Sequence, residues 1–214
     1  MTAIKSSLLY RIVIVFIFLL LTATIWSIAS KSSSPPQDLI GVLRVEPKQL
    51  NSFNLIDQNG QLVNERIFKD KWTFVFFGYT SCPDICPITL HVLNAVMDLL
   101  EKEQAEILPD TQVVFVTVDP ERDTVDGLSD YVTFFNKDFV GLTGDKKNID
   151  NFTQQFGAGY MMGQEISPGE YLVAHTSAIF LVSPDTAMVA AFSQPHNPST
   201  IVSLYKKVRS YILK

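Results

Sequence analysis

An α/β domain standing behind one N-terminal apolar helix is what this sequence predicts, and three observations carry the prediction. Ile12 to Ser30 is a run of 19 uncharged residues dominated by Ile, Val, Leu and Phe. Trp72-Thr73-Phe74-Val75-Phe76-Phe77 is a continuous apolar run of strand length, the pattern of a strand covered on both sheet faces. Directly downstream, Ile88, Val92, Val96, Leu99 and Leu100 recur at helical spacing.

The first run matches the roughly 20 residues that a helix needs to cross a bilayer core. Lys5 and Arg11 precede it, no acidic residue lies among the first 30, and Trp26 takes an interfacial position. The positive flank predicts a cytoplasmic N-terminus and an exported remainder. Ser27-Ile28-Ala29 offers a peptidase small residues, so a cleaved signal peptide is the competing reading. The length of the run, beyond the usual ~7–15-residue signal core, favours a retained transmembrane helix over residues 1–30. Ser30 to Asp38 (Ser-Lys-Ser-Ser-Ser-Pro-Pro-Gln-Asp) reads as a flexible tether, placing a linker at 31–40 and one globular domain at 41–214. Residues 31–214 carry 15 basic against 22 acidic groups, a net charge of −7. That balance argues against nucleic acid as a partner, which asks for a basic face.

Within the domain the elements follow in a recognisable order. The apolar strand at 72–77 leads into a helix from Pro87 to about Lys102, and Thr111 to Val118 is a second buried strand. Thr124 to Asn136 is a helix, Phe139 to Leu142 a short strand and Lys147 to Phe156 another helix. Ser177 to Val182 and Met188 to Phe192 form a hairpin turning at Pro184-Asp185, and Ser199 to Leu213 closes the chain as an amphipathic helix. Strand–helix–strand–helix, then a hairpin and a helix, is the order of a thioredoxin-like domain. Its active cysteines lie between the first core strand and the following helix.

The two cysteines of the chain, Cys82 and Cys86, occupy that connection in Gly78-Tyr79-Thr80-Ser81-Cys82-Pro83-Asp84-Ile85-Cys86-Pro87. They suit a disulfide, a redox couple or a soft-metal site. Each precedes a proline, which biases it away from helical geometry. Pro87 fits the first helical position, which puts Cys86 near the N-cap, where open amides and the helix dipole favour a thiolate. A structural disulfide suits an exported protein, although so small a loop gains little from cross-linking. Of the three histidines, His91 shares a polar helical stripe with Asn94, Asp98 and Lys102 and reads as solvated, and His196 lies in a Pro-bracketed loop. His175 stands immediately before an apolar strand, where the sheet edge can bring it over the cysteine loop. Two thiolates and an imidazole suit Cu(I), and the imidazole also accommodates Cu(II). Zinc follows, since its sites ask for a fuller ligand set, and calcium or magnesium would need oxygen ligands.

The cysteine motif, Val118-Asp119-Pro120-Glu121-Arg122-Asp123-Thr124, and His175 before its strand together resemble the Sco/SenC family over about Gly41 to Lys214. Members of that family are membrane-tethered, thioredoxin-like copper proteins that assemble cytochrome c oxidase. The resemblance implies that Cys82, Cys86 and His175 are copper ligands and that the copper-binding subunit of the oxidase is the client. It further implies a bacterial inner-membrane anchor with the domain facing the periplasm, and an upstream copper donor or thiol reductant as a further partner. The sequence departs from the family pattern at Ser81, where His is frequent, and at Ala174, where Asp usually precedes the metal histidine. If that carboxylate orients the imidazole, its absence predicts retained Cu(I) binding and a perturbed Cu(II) site. Asp119, Glu121, Arg122 and Asp123 form either a partner surface or a turn held by ordinary ion pairs. Two functions use these residues: a metallochaperone that passes copper to the binuclear site of the oxidase, and a thiol–disulfide oxidoreductase cycling Cys82 and Cys86. A peroxidase of the same fold has no sequence feature in its favour.

Overall fold

The computed structural model describes residues 2–29 and 35–213 and, within its first helix, the side chains of 10, 11 and 13–24. The chain divides into two compact units, Met1–Gln37 and Asp38–Lys214. In the first, α1 runs Thr2–Ala29, 28 residues of unbroken helix. Thr22 and Thr24 turn their hydroxyls back onto the carbonyls of Leu19 (3.0 Å) and Leu21 (2.8 Å), so the polar side chains of the 13–24 stretch are satisfied within the helix. Among the described residues no helix is long and apolar enough to cross a membrane. The side chains of Lys5 and Trp26, and residues 30–34 of the expected tether, lie outside the described residues.

The second unit begins within a 3₁₀ turn, Gln37–Leu39, whose Leu39 is fully buried. Its elements follow as β1 (Leu43–Gln49), β2 (Leu55–Asp57), β3 (Leu62–Val63), β4 (Trp72–Gly78), α2 (Ile85–Glu103), β5 (Thr111–Thr117), α3 (Val125–Phe135) and β6 (Val140–Thr143). They continue as α4 (Lys146–Phe156), β7 (Tyr160–Met162), β8 (Val173–His175), β9 (Ile179–Val182), β10 (Ala187–Phe192) and α5 (Pro198–Ile212). Eight strands make one sheet in the order β1-β10-β9-β4-β5-β6-β2-β3, while β7 and β8 pair only with each other. β4 runs parallel to β5, β5 parallel to β6, and β9 returns antiparallel to β4. The expected strands and helices from 72 onward are present within a residue or two. The short pairs β2–β3 and β7–β8, and the edge strand β1, have no counterpart in the sequence reading.

All seven residues of β4 are buried, as its unbroken apolar run requires of a central strand covered on both faces. Alternation divides its side chains between two layers. Phe74 packs on Tyr205 of α5 and on Phe192, and Phe76 on Phe115 of β5. Phe77 faces the other way, onto Phe152 and Phe156 of α4 and Phe180 of β9. The 74–76–78 face is therefore the one that meets the start of α2.

α3, α4 and α5 each begin on a side-chain cap, Thr124, Asp145 and Asn197. α2 begins differently: Asp84 holds the cap position without a side-chain cap bond. Cys86 is the second helical residue, close to the N-cap as expected, and Pro87 takes the third helical position instead of the first. Proline is tolerated there because the first four amides of a helix have no intrahelical acceptor. The pre-proline bias against helical geometry gives way at Cys86, whose buried sulfur seats against Gly78 of β4.

Candidate metal centre

The cysteine loop is built from the end of β4. Gly78 is the closing residue, and a Cβ there would stand 2.7 Å from the Cys86 sulfur and 2.8 Å from the Phe115 ring. Only a glycine lets the first turn of α2 seat its sulfur directly on the strand. Tyr79 accepts at its carbonyl from the Cys82 amide (3.2 Å), turning the chain so that both cysteines face one side. Asp123 ties the loop down from the turn after β5, accepting from the Thr80 amide (3.0 Å), the Thr80 hydroxyl (2.5 Å) and the Thr117 hydroxyl (2.5 Å). Burial raises the Asp123 carboxyl above its usual range, and these donors oppose that rise.

Both cysteines are free thiols; Cys86 is fully buried and Cys82 half-buried. The dipole argument predicted a lowered thiol pKa at Cys86. Burial decides otherwise, pushing that thiol well above its usual value, with the nearby Cys82 adding to the rise. A protonated buried thiol is a poor nucleophile for exchange. It is still a metal ligand once a cation displaces its proton.

His175 comes from β8, opposite Tyr160 of β7. Its ring stands edge-on to Phe76 and to Tyr79, each at 5.9 Å between centroids. Nδ1 lies 3.1 Å from the Thr176 carbonyl, and Nε2 lies 3.4 Å from the Cys86 sulfur. A neutral ring that donates from Nδ1 presents the Nε2 lone pair to the sulfurs. Burial holds the imidazole below its ordinary pKa and so keeps it neutral. The donor atoms of Cys82, Cys86 and His175 all lie within 4.8 Å of one another, the one such group among the described residues. A groove of about 450 Å³ opens beside them, lined by Tyr79, Cys82, Ile85, Leu172, His175 and Gln194 among others. The donor set is two soft sulfurs and one imidazole nitrogen with no carboxylate, which fits copper better than zinc or a hard cation.

The other histidines stay outside. His91 is exposed with its ring edge on Phe135, and His196 reaches the Ser177 carbonyl at 3.1 Å. Of the motif after β5, Asp119 and Asp123 are buried (0% and 3% exposed) and Glu121 is exposed. One ion pair, Arg122 to Asp119, holds that turn, and of the four residues only Glu121 and part of Arg122 reach the surface. Tyr79 and Tyr171 escaped the sequence reading, because an aromatic in a loop carries no periodic signal. The Tyr79 hydroxyl lies by the Val173 backbone and the Cys82 thiol, joining both halves of the site.

A mixed α/β domain of thioredoxin-like order, carrying two thiols and an imidazole at one end of its central strand, defines a soft-metal-binding protein of that fold. Residues 44–212 match the family model described as SCO1/SenC. A mitochondrial protein described as a SCO2 homolog from Danio rerio is 35% identical over 161 residues, covering 75% of this chain and 57% of the relative. A SCO2-like protein from Rickettsia felis is 31% identical over 201 residues, covering 92% of this chain and 95% of the relative. The crystal structure described as Arabidopsis thaliana ScoI with copper bound is 34% identical, with a TM-score of 0.70 over 75% of this chain and 98% of its own. The chain belongs to the SCO1/SenC family.

Proposed function

We propose that this protein is a copper metallochaperone that takes its cargo on Cys82, Cys86 and His175 and delivers it to the binuclear copper site of cytochrome c oxidase during assembly. The observation that carries the proposal is the convergence of three soft donors within 4.8 Å in a chain of this family. Copper suits the set because thiolates prefer Cu(I) and the imidazole tolerates either oxidation state. The half-buried Cys82 borders the groove, so a partner's thiolate can approach from that side and exchange ligands stepwise. The oxidoreductase reading is less favoured, since one thiol of the pair is fully buried and held protonated.

The setting belongs to the same proposal. The uncharged run from Ile12 to Ser30 acts as a single-pass anchor in a bacterial inner membrane, and the domain faces the periplasm. The uncharged run, the basic flank and the internally bonded threonines support that reading. The copper-binding subunit of the oxidase is then the client, with a copper donor or a thiol reductant upstream.

The test is metal analysis of the full-length chain under reducing conditions, beside His175→Ala and Cys86→Ala. One copper per chain is expected, weakened by the first substitution and abolished by the second. A chain that takes no copper but exchanges disulfides freely would overturn the proposal.

A further inference from the structure

The third donor reaches the site on a piece of structure that the main sheet does not hold. β7 and β8 pair only with each other, and the chain between them (163–172) carries exposed Ile166 and Leu172. Two side-chain ties hold β7 and the residues after β8: the Tyr160 hydroxyl bonds Asp150, and His196 reaches the Ser177 carbonyl. On the side of the cysteine loop the Tyr79 hydroxyl meets the Val173 backbone, and the chain leading into β8 is held by one cation.

Arg122 forms that hold. Its Nε pairs with the Asp119 carboxylate at 2.5 Å, and Asp119 is fully buried at the end of β5. Asp119 is itself fixed, its amide donating to the Thr117 hydroxyl at 3.0 Å and its carbonyl accepting from the amides of Arg122 (3.2 Å) and Asp123 (3.0 Å). From this base the guanidinium donates through Nη1 to the carbonyls of Tyr171 (3.0 Å) and Gly169 (3.4 Å). Its plane lies over the Tyr171 ring, 3.6 Å from the centroid, and faces Tyr79 at 5.5 Å. The Tyr171 hydroxyl closes the circuit by donating to Asp119 at 2.8 Å. A planar fork that bonds a carboxylate and two carbonyls while stacking on a ring is a task for Arg and not for Lys.

We propose that Arg122, braced by Asp119, is a positioning residue that grips Tyr171 and thereby sets His175 on Cys86. Tyr171 precedes His175 by four residues, so a loosened grip lets the strand and its imidazole withdraw while the cysteines stay in place on β4 and α2. The clamp thus decides whether the site offers three donors or two. Its role toward copper rests on the proposed copper function; its mechanical role does not.

Hydrogen exchange and Cu(II) spectroscopy of the full-length chain test this separately. Arg122→Ala is expected to speed amide exchange over residues 169–176 about tenfold while leaving β4 and β5 unchanged. It is also expected to weaken Cu(II) binding about tenfold, at the lower end for an outer-shell partner, and to diminish the nitrogen coupling from His175. Arg122→Lys should restore part of both. Tyr171→Phe, which keeps the ring and loses one bond, should give a smaller change in the same direction. In a His175→Ala background, Arg122→Ala should cost no further Cu(II) affinity. Unchanged exchange and unchanged nitrogen coupling in both Arg122→Lys and Tyr171→Phe would overturn the proposal, and these milder variants decide it if Arg122→Ala does not fold. If the parent chain binds no copper, the copper function fails, and exchange alone still decides the clamp.

Discussion

Cys86 and His175 lie 3.4 Å apart, yet the two regions that carry them are held by unlike forces. Cys86 is fixed by backbone: a central strand with all seven residues buried, a glycine that leaves room for the sulfur, and the first turn of a 19-residue helix. His175 is fixed by side chains: an arginine fork, two tyrosine hydroxyls and a histidine bond around a three-residue strand outside the main sheet. Core strands open only with the whole fold, whereas elements with few buried contacts open locally. The comparison teaches a division of labour suited to a carrier, with a rigid pair of sulfurs to hold soft cargo and an adjustable third donor.

The sharpest way to break this comparison is at Gly78. Alanine there brings a methyl to 2.7 Å from the Cys86 sulfur and 2.8 Å from the Phe115 ring, closer than either atom can accept. Both neighbours are buried in the core and cannot swing aside cheaply. A loss of about 1–3 kcal/mol is expected from such overpacking, read as a lower urea midpoint, together with reduced copper content. A Gly78→Ala protein of parental stability and full copper occupancy would show that the sulfur is not set by the strand.

The same contrast explains what the sequence made legible. β4 and α2 announced themselves because a strand buried on both faces needs an unbroken apolar run, and the helix after it needs a stripe. His175 could be singled out by its place before β9. Its supports could not: Arg122 meets Tyr171 49 positions away, between two loops, and no periodicity encodes a contact of that kind. β7 and β8 are three residues each and too short to show alternation. The Cys86 thiol was misjudged for a related reason. Helix position is local and readable, but the burial that outweighs it is a property of the assembled core.

A smaller effect tests the histidine side through pH. His196 donates to the Ser177 carbonyl from Nε2, and its Nδ1 is buried without a partner. Protonation would place an unpaired donor there, and burial accordingly holds this imidazole below its ordinary pKa. A depressed pKa in the folded state means that the unfolded chain binds the extra proton first. Stability is therefore fully present above the ordinary histidine value of about 6.5 and is lost as pH falls through the folded value. His175 shifts in the same direction and adds to the loss. In the metal-free chain, a lower urea midpoint and, relative to the intrinsic exchange rate at each pH, weaker amide protection around Ser177 are expected at pH 5.5 than at pH 7.5. His196→Gln, which can still donate but does not titrate, should flatten part of that dependence. An identical pH dependence in the variant would assign the loss elsewhere.

The smallest effect is expected at Ala174, where the family pattern led to the expectation of a perturbed Cu(II) site. Strand geometry argues against a direct role for this position. Ala174 pairs with Met161 on the exposed face of the β7–β8 hairpin, whereas His175 pairs with Tyr160 on the alternate face, toward the sulfurs. The orienting acceptor for the imidazole is already present in the backbone, as the Thr176 carbonyl 3.1 Å from Nδ1. A carboxylate at 174 would border the groove and act on the ion across solvent, where an exposed charge contributes ~1 kcal/mol or less. Ala174→Asp should therefore change Cu(II) affinity by no more than about fivefold and leave the nitrogen coupling of His175 in place. A shifted coupling would mean that the hairpin turns its outer face inward when copper binds, which makes the third donor more mobile than the Arg122 clamp alone allows.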